Sequence, residues 1–103
     1  MFRRKRFTDL IARQLDLFER EQRALIAQCV AAERAYDRAG RGDAEERYGD
    51  YVDLVETGTE ILADIRDHFA QTLDESTAEE YEAAFNRTVA KRLPRFALEI
   101  ENR

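Results

Sequence analysis

The stretch Asp43–Leu73, DAEERYGDYVDLVETGTEILADIRDHFAQTL, decides how the rest of the chain must be arranged. Tyr51, Leu54, Val55, Gly58, Ile61, Leu62, Ile65, Phe69 and Leu73 recur at helical spacing and fall within roughly 120° of arc on a helical wheel. The opposite face carries Asp53, Glu56, Glu60, Asp64 and Asp67, with no basic residue among them. A helix so polarised must bury one side and show water a line of carboxylates. Asp43, followed three residues later by Glu46, reads as its N-cap with a capping box. Gly58 sits in the middle of the apolar stripe, where a missing side chain lets a neighbour approach; antiparallel pairing puts it opposite Leu25 and Leu93.

Upstream, Phe7, Ile11, Phe18, Leu25, Cys29, Ala32 and Tyr36 form one seam about 60° wide. Gln14 and Gln22 are its polar members. Leu10, Leu17, Ala24 and Ala31 repeat every seven residues along one flank, and Leu15, Ile26 and Val30 lie on the other. That is more apolar surface than two neighbours need, and it predicts self-association, a homodimer built on the Leu10–Ala31 line. Gly40-Arg41-Gly42 turns the chain into the second helix.

Downstream, Ser76-x-x-Glu79 and Thr77-x-x-Glu80 are both capping boxes. The line Tyr81, Phe85, Val89, Leu93, Phe96 and Ile100 keeps its phase through Pro94. A proline on the outer face of a surviving pattern predicts a bend; a short separate helix from Pro94 is the alternative. The expected fold is all-α: an elongated antiparallel three-helix bundle, up-down-up, with helices over about 6–39, 44–73 and 78–101 bent near Pro94. Residues 1–103 make a single helical domain, with 1–5 a frayed basic arm. Four Gly and one Pro in 103 residues support a few long elements over many short ones.

Charge is unevenly placed. The net of −5 argues against a surface built to hold polyanions. Residues 1–38 carry nine cations and six anions, residues 39–75 three and eleven, and the remainder balances. The first two helices should therefore lie side by side, with Arg3, Arg4, Lys5 and Arg6 beside Asp67, Asp74 and Glu75. The same four cations, with Phe2 and Phe7 as anchors, form a weak site for an anionic membrane or a nucleic acid. The acidic face Asp53, Glu56, Glu60, Asp64 and Asp67 is either solvated or meets a basic partner.

Chemistry-bearing patterns are sparse. Cys29 is the only cysteine, which rules out an internal disulfide and points to a reducing, cytoplasmic setting. The basic start followed by Asp9, Arg13, Asp16 and Glu19 does not make an export signal. His68 is the only histidine; Asp64 precedes it by one turn and Glu60 extends the line. Ferritin-like diiron sites use Glu-x-x-His instead, and Ile65 holds that position here. No glycine-rich phosphate loop, paired-cysteine zinc pattern or nucleophile–histidine arrangement is present. The expectation is a non-enzymatic protein without cofactor or small-molecule substrate that binds another protein or itself. An anionic-surface anchor and a metal-binding helical protein are the alternatives.

Overall fold

A computed structural model describes residues 6–103. Five helices follow one another: α1 (Thr8–Glu21), α2 (Arg23–Arg38), α3 (Ala44–Ala70), α4 (Glu75–Arg92) and, after a 3-10 turn over Pro94–Phe96, α5 (Ala97–Glu101). No strand occurs among the described residues. The radius of gyration is 15.6 Å and the extents are 51 × 23 × 23 Å, against ~13 Å for a compact chain of this length. The all-α class and the elongation hold. The count of three helices does not.

The first expected helix is two. Its interruption falls at Gln22 (φ −107°, ψ 28°), between the seam residues Phe18 and Leu25 and at the seam's own polar position. Both flanking bonds survive, Gln22 N–H to the Phe18 carbonyl at 2.8 Å and Ile26 N–H to the Gln22 carbonyl at 2.9 Å. The two halves serve different neighbours. α2 lies along α3, while α1 turns Ile11, Leu15 and Phe18, with Phe7 just before its start, into the core and clasps α4. Arg92 of α4 bonds the Ala12 carbonyl at 3.3 Å and Glu19 at 2.7 Å, and also reaches Asp16.

The second correction is at Pro94. The chain reverses there instead of bending. Arg66 Nη1 donates to Asn86 Oδ1 and to the Ile100 carbonyl, each at 3.0 Å. A helix continuing from residue 86 to residue 100 would separate their backbones by about 21 Å. α5 therefore runs back along α3 and α4, and the separate short helix is the form realised. Phe96 and Ile100 keep the phase of α4 because both still enter the same core, each 1% exposed or less.

Helix starts also differ from expectation. Asp43 makes no side-chain cap. α4 begins three residues before Ala78, capped by Asp74, whose carboxylate accepts from Thr77 N–H at 2.9 Å and from Ser76 Oγ at 3.3 Å. The Thr77 backbone bond holds the Asp74 carboxyl below its ordinary range, since it favours the ionised form.

Gly58 is the close approach the sequence implied, but its neighbour is Phe96. A Cβ at Gly58 would lie 2.5 Å from Cε1 and 2.9 Å from Cζ of that ring. The ring is 1% exposed and meets Phe18 edge-on at 5.9 Å, so it has no free direction to swing. Gly58→Ala should gain about 1 kcal/mol of helix propensity and lose ~1–3 kcal/mol to overpacking, a net destabilisation in urea titration. In a Phe96→Ala background the sign should invert. A net gain in the parent chain would show the site to be roomy.

Candidate interaction surface

The core is unevenly distributed along the length. Phe7, Ile11, Leu15, Phe18 and Cys29 are buried from the first arm, Val55, Leu62, Ala63 and Ala70 from α3, and Tyr81, Phe85, Val89, Phe96 and Ile100 from the last elements. Between Cys29 and Val55 no residue is buried. The α2–α3 hairpin thus runs on past the corner at Pro94, where the covering helices stop, and its far end has no core of its own.

The apolar pattern nevertheless continues into that end. Tyr36 and Tyr48 pack ring to ring at 5.4 Å while remaining 39% and 53% exposed. Leu98 of α5 is 71% exposed. It faces Tyr48, Tyr51, Val52 and Val55 across a groove of about 160 Å³ whose polar lining is Glu56, Arg95 and Glu99. Arg95 closes the inner end: Nη1 donates to Tyr51 Oη at 3.1 Å, and Nη2 meets Glu33 at 3.5 Å. The groove is smaller than the ~300 Å³ at which small-molecule sites begin, and suits a single anchoring side chain. Tyr36, Tyr48 and Tyr51 thus gather at the turn end of the hairpin.

The acidic face divides. Asp53, Glu56, Glu60 and Asp64 are exposed, and Glu56 lines the groove. Asp67 is half-buried and accepts from Arg66 Nε at 2.8 Å. On the first arm Leu10 packs against the core, whereas Leu17 is 44% exposed and Ala24 and Ala31 are exposed. Arg3, Arg4 and Lys5 lie outside the described residues. Arg6 is exposed and pairs with Glu80 of α4 at 3.5 Å. The start of α1 therefore meets the start of α4 instead of Asp67 at the end of α3.

Arg66 is the polar residue that sequence reasoning missed. It is 4% exposed, and beside its bond to Asp67 two more tie α3 to Asn86 of α4 and to the Ile100 carbonyl of α5. An open cleft of about 670 Å³ beside it is lined by Asp67, Gln71, Glu82, Asn86, Glu101 and Arg103 among others. The signal was available: Arg66 lies four residues after Leu62 and four before Ala70, both buried.

Gln14, the other polar member of the seam, is accounted for by Tyr81, whose hydroxyl donates to Gln14 Oε1 at 2.9 Å. Burial pushes the Tyr81 phenol up to about 12. Burial also raises the Cys29 thiol, against the opposing charge of Arg95, which disfavours the reactive thiolate. His68 is exposed. Among the described residues no group of three or more His, Cys, Asp or Glu side chains gathers as a metal site would, and no helix is long and apolar enough to cross a membrane. Comparisons with protein-family models, with curated proteins and with solved structures found no match.

Proposed function

We propose that this is a non-enzymatic cytoplasmic protein that works by binding another protein through the uncovered end of the α2–α3 hairpin. One observation carries the proposal: the apolar seam of both helices continues past the last intrachain cover, with Tyr36, Tyr48 and Leu98 left in solvent. A patch of this kind marks an interaction site on a soluble protein, and aromatic anchors with a small groove are what interfaces are built around.

A second reading is self-association through the first arm. Leu17 at 44% exposure, with Ala24 and Ala31 exposed below it, favours it, and Leu10 no longer contributes because it packs inward. Two variants separate the readings. Affinity capture from native cells should recover partners with the parent chain and with Leu17→Glu, and lose them with Tyr48→Ser/Leu98→Ser. Loss with Leu17→Glu alone, together with a fall from dimer to monomer mass in sedimentation, would transfer the function to the first arm.

A further inference from the structure

The geometry points to a basic amphipathic helix as the segment that the hairpin end receives. This rests on the hairpin end being the binding surface, and adds the chemistry of its occupant.

Shape comes first. α2 and α3 run side by side beyond Pro94 for about ten residues each, ~15 Å of helix, with no third helix among the described residues on the face that α4 and α5 cover further along. A helix laid there continues the bundle. It needs apolar residues at i, i+3 or i+4 and i+7 to meet Tyr36, Tyr48 and Leu98. The groove of about 160 Å³ between Tyr48, Val52 and Leu98 takes one of them.

Charge selects the class. Glu56 and Glu99, the two carboxylates that line the groove, make no ion pair among the described residues. Arg95, the cation in the groove lining, is engaged by Tyr51 and Glu33, and Arg47 by Asp50 at 3.7 Å. Arg34, Arg38 and Arg41 are exposed without an ion pair among the described residues, but belong to α2 and the turn, outside that lining. The rim thus offers carboxylates without counter-ions, and a partner with Lys or Arg flanking its apolar stripe supplies them. A second copy docked by the same face sets carboxylates against carboxylates, which disfavours a twofold pairing here. The acidic face read from the sequence therefore acts here through Glu56, its one member in the groove lining.

The test uses the full chain and two labelled peptides, an amphipathic helix of Leu and Lys and its counterpart with Glu at every Lys. Fluorescence anisotropy should show the Lys peptide binding at least about tenfold tighter than the Glu peptide. Affinity should weaken with added salt and fall about tenfold or more in Tyr48→Ser/Leu98→Ser, whose circular dichroism should match the parent. Glu56→Gln/Glu99→Gln should lose most of the salt dependence. Several outcomes overturn the inference: equal binding of the two peptides, binding of neither, or Lys-peptide binding indifferent to Tyr48→Ser/Leu98→Ser. A dimer mass abolished by Tyr48→Ser/Leu98→Ser would overturn it in favour of a second copy. Partner capture that still depends on Tyr48 and Leu98, with both peptides indifferent, would keep the surface and remove only the basic helix.

Discussion

Arg66→Met is expected to cost about 2–4 kcal/mol, a large share of the stability of a small domain. Methionine keeps the apolar stem of the side chain in place but removes three donors at once. Asn86 Oδ1 loses its partner, and the Ile100 carbonyl keeps only the longer bond from Arg103 N–H at 3.3 Å. The contact with Asp67 contributes least, because that carboxylate side chain is 49% exposed and an exposed ion pair is worth little. Arg66→Lys should fall between the two, since one ammonium cannot span partners on α4 and α5 together. Guanidinium titration measures both. A change in Arg66→Met within about 0.5 kcal/mol, the range of ordinary surface substitutions, would deny Arg66 its place as the tie between α3, α4 and α5.

Alkaline pH should destabilise the fold through Tyr81. Its phenol is 0% exposed and titrates at about 12 when folded, against ~10 in an unfolded chain. The neutral form is the one the fold favours, so this contribution is complete below pH ~10 and is lost as pH rises towards 12. The slope is about 1.4 kcal/mol per pH unit over that window, for a total of ~2–3 kcal/mol. Tyr81→Phe removes this pH dependence and leaves Gln14 Oε1 without its donor, so it should be less stable at neutral pH and lose less on going alkaline. Ultraviolet titration gives the direct check: Tyr81 should add its tyrosinate absorbance only near pH 12. If parent and Tyr81→Phe lose stability in parallel above pH ~10, the buried phenol is not the cause.

Much of the fold was legible because helical periodicity is a strong signal where one face is buried. The stripe from Tyr51 to Phe69 placed α3 within a few residues, and the seam of Phe7, Ile11 and Phe18 found the buried side of α1. The reversal at Pro94 was hidden for a physical reason. A helix that folds back on the same core presents Phe96 and Ile100 in nearly the phase of a helix that continues, so the wheel cannot separate the two. Gln22 stood out as a polar member of the seam, yet nothing local marks a break, since neither proline nor glycine is there. Arg66 was passed over because a cation in an apolar stripe has meaning only once its acceptors are known, and Ile100 supplies one from 34 residues away. The proposed interaction surface was half visible. The carboxylate face was read from the sequence, but the place where intrachain cover ends depends on the reversal.

Amide hydrogen exchange along α2 and α3 tests that last point most directly. With no buried residue between Cys29 and Val55, the far end of the hairpin should open locally at free energies well below that of global unfolding. Amides over residues 34–50 should therefore exchange much faster than those over 58–68, at the same rates at low and high protein concentration, and should slow when a partner is bound. Uniform protection from Arg23 to Ala70 in a protein of monomer mass would contradict the account, because the hairpin end would then be stable without the cover it is proposed to receive.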